Sequence, residues 1–277
     1  MATLDFHLFR AKFIKSKQPS LFNEDLSPGN IFLKAIFEKP SIQIQTRYTW
    51  HIGNVEKIDS EHGYFAVGRT TKSVIEKYDE TSKNFIEEEY EESPYTHVLY
   101  NLKYGLLAIS KKTKLAPTVN GIARKISTLF DSTNIVKDFD VNVEIDYLRD
   151  PESFLILLKK AYSIKKFSAT FGGPNPFDAD ENFQKPLSVY LKKANGKKGK
   201  AEIQGSDLDQ EVLHEVTKAV ASTGNDATAK IQNEKGDKLS TIYLGENQVN
   251  LKVDEAEFEK KDFSLRVDEE YKKLRSS

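Results

Sequence analysis

The sequence predicts an α+β protein with mostly antiparallel sheets, a few amphipathic helices and two modules. Two observations lead to this prediction. Segments in which apolar and polar residues alternate with period two greatly outnumber segments with helical periodicity. Most of these segments also follow one another across connections of hairpin length, which join antiparallel strands, whereas parallel strands need a long crossover.

The first fifty residues contain two candidate strands and one helix. Alternation predicts an opening strand over residues 4–14 and a second strand with one wet face over residues 42–52. Between them, Ser27 and Pro28 have the residue types of a helix cap and a first helical turn. Pro40 prevents that helix from continuing.

Two hairpins follow. The segments GYFAVGRT, SVIEKYDE and NFIEEEYEE are candidate strands, and residues 81–83 read as the hairpin turn between the last two. Residues 96–110 form a more apolar hairpin that turns over residues 101–105.

Helices become more frequent in the middle of the chain. Residues 116–132 place apolar side chains at helical spacing, and the strand DVNVEIDYL follows. Asp150 and Pro151 then open a second helix as its cap and its first position. After the strand KKFSATF, the segment FQKPLSVYLKKAN is a helix interrupted by Pro186 or an edge strand, and we favour the helix.

Residues 206–224 are the clearest predicted helix. Ser206 or Asp207 would cap it, an apolar stripe runs along it, and Gly224 would end it. The short strand KAEIQGS precedes this helix. A hairpin that turns at residues 235–236 and the strand NQVNLKV follow it, whereas the polar C-terminal tail is left unassigned.

The loop GGPNPFDADENF is the predicted domain boundary because it is rich in turn-forming residues. We expect an α+β module with hairpins and a basic helical region over residues 1–172. A smaller α+β module is expected over residues 177–277.

Composition predicts a soluble, cytoplasmic protein without membrane insertion. The chain has 277 residues and no cysteine, which excludes disulfides, thiolate metal sites and cysteine nucleophiles. The apolar stretch nearest the N-terminus contains Asp5 and Arg10, which a signal-peptide core would not. No apolar run approaches the roughly 18 residues of a membrane span.

Motifs for catalysis and cofactors are missing from the sequence. It has no phosphate-binding glycine motif, no HExxH and no G-x-S-x-G, so we predict no cofactor and favour a non-catalytic role. One alternative is a metal-dependent nuclease. Glu144 and Asp146 would share a strand face and hold Mg²⁺, with Lys159 or Lys160 nearby. His214, beside two glutamates, reads as a surface histidine.

Charge is unevenly distributed along the chain. Residues 1–100 carry a net charge of −3, residues 101–200 carry +8 and residues 201–277 carry −6. The basic side chains of the middle third form three clusters that can converge on one surface when the chain folds. They are Lys111, Lys112, Lys114, Arg124 and Lys125, then Lys159, Lys160, Lys165 and Lys166, then Lys192, Lys193, Lys197, Lys198 and Lys200.

The basic clusters predict binding to duplex DNA without strong sequence preference. Lysines bind phosphates by charge and counterion release, whereas reading guanine edges needs arginines, of which this third has only Arg124 and Arg149. A second alternative is a protein-interaction adaptor that uses the acidic run FIEEEYEE. A solvated hairpin face or a guarded edge strand is the more common explanation of such a run.

The order of elements and the segments DPESF…KKF…TFGGPNPFDAD and STGNDATAKI resemble RexA-like, otherwise uncharacterised, phage-defence-associated bacterial proteins. The resemblance implies sequence-tolerant DNA binding, a homodimer, a protein partner in the same defence system and an architecture distantly similar to RdgC. It assigns no functional residue to a position in this chain.

Overall fold

A computed structural model describes residues 2–15, 26–172 and 183–275, and it confirms the α+β class. Across these ranges the strands form two sheets, and every strand pairing is antiparallel. The strands are β1 Thr3–Lys15, β2 Ser41–Gln45, β3 Tyr48–Lys57, β4 His62–Asp79, β5 Asn84–Glu92, β6 Tyr95–Asn101, β7 Leu106–Ser110, β8 Val141–Tyr147, β9 Ser163–Gly172, β10 Lys198–Gln204, β11 Ala227–Gln232, β12 Ser240–Tyr243 and β13 Asn250–Asp254. The helices are α1 Pro28–Phe37, α2 Val119–Ser132, α3 Asn134–Asp138, α4 Glu152–Lys160, α5 Gln184–Lys193, α6 Gln210–Ala221 and α7 Lys260–Arg275.

The larger sheet has nine strands and two long members that organise it. Its order is β13-β1-β7-β6-β4-β3-β2, with β8 also paired to β1 and β5 also paired to β4. The strand β1 pairs with β13 over its first half and with β8 over its second half. The strand β4 pairs with β3 and β6 near its start, and beyond them it continues with β5 alone.

Both faces of the nine-stranded sheet are covered by helices. On one face, apolar residues of α1 and α2 pack with Phe9, Phe13, Trp50 and Phe65. On the other face, α7 packs through four apolar residues at helical spacing, which are Phe263, Val267, Tyr271 and Leu274. The sheet is therefore the central layer of its half of the molecule.

The smaller sheet has the order β10-β9-β11-β12, and the described helices α4 and α6 pack on one of its faces. Apolar residues of α4 and α6 pack on Phe167, Ala169, Ala229 and Ile231. Because side chains alternate along a strand, the neighbours of these residues point away from the helices. This sheet has one helix-covered inner face and one polar outer face.

Most of the predicted elements are confirmed. The caps at Ser27 and the hairpin turns near 81–83, 101–105 and 236 are present, and α5 forms with Pro186 inside its first turn. Pro186 is tolerated there because the first amides of a helix have no intrahelical acceptor.

Four predictions about elements are wrong. Residues 42–52 are not one strand but β2 and β3, joined by a tight turn at 46–47. The segments GYFAVGRT and SVIEKYDE are one continuous strand, β4, because β3 and then β5 keep it paired. The cap of α6 is Asp209, which accepts from the amides of Glu211 and Val212. Asp207 instead accepts from the amide of Ile164.

The fourth wrong prediction is the cap of α4, which begins at Glu152 with Pro151, not Asp150, at the cap position. Asp150 accepts from the amide of Glu152 at 3.0 Å. The C-terminal tail, which the sequence pattern left unassigned, forms the longest described helix, α7. Its mean hydropathy is low, yet one stripe of it is buried against the sheet.

Most of the loop GGPNPFDADENF lies outside the described residues. Along the chain, this loop does not divide the strands of one sheet from those of the other. The strand β9 precedes this loop and is a central strand of the smaller sheet. The strand β13 and α7 follow it but return to the larger sheet. The domain division at 172–177 stays a prediction.

Within the described ranges, no helix combines the length and the apolar character that crossing a bilayer requires.

Candidate nucleic-acid interface

Four lysines lie on the outer face of the smaller sheet, and we call them the lysine face. They are Lys166 on β9, Lys198 and Lys200 on β10, and Lys230 on β11. Strand register places Lys230 opposite Lys166, whereas Lys200 and Lys198 lie further along the same face, opposite Thr170 and Gly172. Three of the four are exposed, and Lys166 is half-buried.

Among the described strand residues that face outward on the smaller sheet, Glu202 is the one carboxylate. Lys166 Nζ lies 2.6 Å from Glu202 Oε1, and Gln204 Nε2 donates to the same carboxylate at 3.0 Å. The hydrogen bond from Lys166, assisted by the one from Gln204, holds the pKa of Glu202 below its ordinary range. The lysine face therefore carries four positive charges against one negative charge at neutral pH.

Hydroxyl groups and one aromatic ring also lie on the outer face. Ser168 and Thr228 share a hydrogen bond of 2.7 Å at the centre of the sheet. At the edge, Tyr243 on β12 is 68% exposed. Ser168 is 2% exposed, so of these groups the hydroxyl of Tyr243 is the one placed to donate a hydrogen bond to a phosphate oxygen.

Local sequence explains why the run LKKANGKKGKAEI builds this edge. The helix α5 ends at Lys193, and Asn195 adopts a left-handed backbone with φ 55°, which reverses the chain. Gly199 then faces inward, where a Cβ would lie 2.3 Å from the ring of Phe171. A glycine at position 199 is thus required by packing, and the alternation of side chains along β10 points Lys198 and Lys200 outward.

The remaining lysines of this run flank the lysine face. Lys192 and Lys193 are exposed at the end of α5, and Lys197 is exposed immediately before β10.

The second sequence cluster is divided between the two sides of the smaller sheet. Lys166 belongs to the lysine face, whereas Lys165 alternates to the other side and donates to the carbonyl of Ser206. Lys159 and Lys160 end α4, which covers the inner face.

The first sequence cluster lies on elements that pack against the nine-stranded sheet. Lys112 sits over the ring of Tyr95 at 5.4 Å, and Lys114 is neutralised by Glu92 at 3.0 Å. Arg124 is exposed on α2, Lys125 is half-buried there, and Lys111 is exposed beyond β7. Because the second cluster is divided between the two sides of the smaller sheet, the three clusters do not converge as a whole on one surface.

Lys159 instead lines a cleft of about 480 Å³ between α4, α6 and α7. His214, Lys218, Glu270 and Lys273 share this cleft. Burial lowers the pKa of His214, and the charges of Lys218 and Lys159 act in the same direction. The cleft mixes both signs of charge, so it does not extend the lysine face.

The carboxylates of the nuclease alternative contact a different lysine from the ones expected. Glu144 and Asp146 lie on β8, and Lys12 of the neighbouring β1 donates to Asp146 at 2.8 Å. Among the described residues, no group of three histidine, aspartate or glutamate side chains is placed to hold a metal ion.

Sequence reasoning missed Lys230 and Tyr243 on this face. The alternation in ATAKIQ carries the signal for Lys230, because it puts that lysine on the opposite side from three buried residues. It also missed His62, which lies between Asp59 and Asp268 at 2.9 and 3.0 Å. These three side chains connect α7 to the larger sheet.

An acidic ribbon projects beyond the nine-stranded sheet, and we call residues 71–92 the arm. It consists of the second half of β4 paired with β5, and the acidic run FIEEEYEE forms most of β5. The arm carries eight acidic and three basic side chains.

No protein-family model matches this chain, and no curated protein does either.

Proposed function

We propose that the protein is a non-catalytic DNA-binding protein that holds duplex DNA through the lysine face without strong sequence preference. The observation that supports this proposal is that Lys166, Lys198, Lys200 and Lys230 share the outer face of the smaller sheet, with Glu202 as the opposing charge. Lysine ammonium groups that share a surface attract DNA phosphates, and the counterions of those phosphates are released on binding.

Sequence tolerance follows from the residue types. Lysine is a flexible point charge, whereas guanine recognition in the major groove relies on the planar fork of arginine. The four strands of the smaller sheet contain no arginine among their described residues. Contacts from this face would therefore position the duplex without reading its bases.

The biological setting we propose is anti-phage defence in the cytoplasm, together with a protein partner of the same system. Its support is the resemblance of the chain layout to RexA-like proteins, which bind DNA without strong sequence preference.

A fluorescence-anisotropy titration of a labelled duplex tests the proposal. The variant Lys198→Ala/Lys200→Ala/Lys230→Ala should lose at least tenfold in affinity at low salt. The matched control Lys252→Ala/Lys261→Ala/Lys272→Ala removes the same charge from exposed lysines on β13 and α7 and should keep affinity within about twofold. Equal losses in both variants, or no binding by the wild-type protein, would reject the lysine face as the interface.

A further inference from the structure

The arm is a two-stranded ribbon with nine residues in β5, and at about 3.3 Å per residue it extends roughly 30 Å. Every residue of β5 up to Glu91 is exposed, so neither face of the ribbon rests on a core. An isolated two-stranded ribbon is marginally stable in water. A surface of this kind gains stability when a partner covers it.

The exposed arm also carries an unusual number of large apolar side chains. On one face, Tyr78 and Phe85 lie opposite each other with ring centroids 5.3 Å apart, and Phe85 is 83% exposed. The exposed apolar residues of the arm are Val74, Ile75, Tyr78, Phe85, Ile86 and Tyr90. Solvation of a charged hairpin explains the glutamates but not these rings.

Charge restricts what can cover the arm. Its net charge is −5, from eight acidic and three basic residues. Pairing of two arms edge to edge would bring the glutamates of one β5 strand against those of another, and like charges opposite each other destabilise a sheet. The charge of the arm therefore favours a basic occupant.

A basic surface is present on this chain itself. The lysine face has three net positive charges, long lysine stems and the exposed ring of Tyr243. Lysine ammonium groups pair with glutamates and also sit favourably over aromatic faces, while their methylene stems cover apolar groups. These properties match the two kinds of side chain that the arm presents.

We propose that the arm of one copy docks on the lysine face of a second copy, so that the protein self-associates through a salt-sensitive interface. The aromatic side of the arm contributes the contact, where Glu87 and Glu89 follow Phe85 on the same face as Tyr78. Two such contacts related by a two-fold axis would close a dimer. A second copy and DNA would then compete for the same lysines.

Sedimentation velocity of the full chain with charge-swapped variants tests this interface. The wild-type protein should associate at low salt and dissociate at high salt, because exposed ion pairs are screened. The arm variant Glu87→Lys/Glu89→Lys and the face variant Lys198→Glu/Lys200→Glu should each sediment as monomers. An equimolar mixture of the two variants should associate again, which also shows that both are folded.

The control variant Glu215→Lys/Glu269→Lys makes the same charge change on exposed residues of α6 and α7 and should associate like the wild-type protein. A monomeric wild-type protein at low salt, association that neither variant changes, or a loss in the control equal to that in the arm variant would overturn the proposal. DNA binding is scored separately, so failure of one proposal leaves the other standing.

Discussion

Lys166 Nζ lies 2.6 Å from Glu202 Oε1, between two adjacent strands of the outer sheet face. This pair is partly exposed, and such pairs contribute little to stability. Its larger effect is on the ligand, because Glu202 neutralises one of four aligned lysines and would repel a phosphate.

Replacing Glu202 with glutamine should therefore increase affinity for DNA. The change removes one negative charge and releases Lys166 for a phosphate contact. We expect the affinity at low salt to rise several-fold. The slope of the logarithm of the association constant against the logarithm of salt concentration should become steeper by about 0.9. Anisotropy titrations at several salt concentrations measure both quantities. Glu211→Gln on α6 is the control, and an unchanged affinity in the Glu202 variant would contradict the prediction.

Gly199 connects packing to the interface, since its missing side chain leaves room for Phe171 on the inner face. The substitution Gly199→Ala should destabilise the protein by about 1–3 kcal/mol, the usual range for overpacking. Urea denaturation measures that loss of stability. Gly236→Ala is not a suitable control, because Gly236 has φ 90°, a backbone conformation that strains alanine. Gly53→Ala is the appropriate control, because a Cβ there meets no atom within 4 Å. Equal stability of the two variants would show that the Phe171 contact is not tight.

His62 makes stability dependent on pH. Burial alone would lower the pKa of His62, but hydrogen bonds and charge from Asp268 and Asp59 outweigh burial and raise the pKa above its ordinary value of 6.5. The protonated form is thus favoured in the folded state. The resulting stabilisation is complete below pH 6.5 and is lost as pH rises through the higher folded-state pKa.

The urea midpoint of the wild-type protein should therefore fall between pH 6 and pH 8 by more than that of Asp268→Asn. The variant lacks one of the two carboxylates that favour protonated His62, so its midpoint should respond less to pH. Parallel midpoint curves for the two proteins over this range would refute the role of His62.

Arg10 is 1% exposed and donates to the hydroxyl of Tyr271 at 3.2 Å, which ties β1 to α7. The substitution Tyr271→Phe removes one acceptor from a buried guanidinium and should cost about 1–3 kcal/mol of unfolding free energy. Tyr243→Phe, at an exposed site, should be neutral. A neutral result at Tyr271 would mean that this hydrogen bond is replaced without loss.

The sequence predicted most strands and helices because their signals are local. Caps such as Ser27, turns such as Gly236 and the alternation of β9 depend on neighbouring residues alone. The extent of β4 was not predictable, since its length depends on pairing with β3, β5 and β6. The helix α7 was missed because its apolar stripe is narrow. The surface on which that stripe packs, the second face of the larger sheet, is built from strands that are distant in sequence.

The candidate site was predicted in part for the same reason. Lysines close in sequence, such as Lys198 and Lys200, could be grouped before the fold was known. Lys230 joins them only through the β9–β11 pairing, and Glu202 neutralises Lys166 only through the β9–β10 pairing. Register across strands decides which charges share a face, and a single sequence does not reveal it.

The salt dependence of DNA binding tests the central claim most directly. For the wild-type protein, the logarithm of the association constant should fall linearly with the logarithm of salt concentration, at about 0.9 per lysine–phosphate contact. Removal of Lys198, Lys200 and Lys230 together should reduce that slope by about 2.7. A slope equal to that of the wild-type protein in this variant, or wild-type binding that salt does not weaken, would contradict the account.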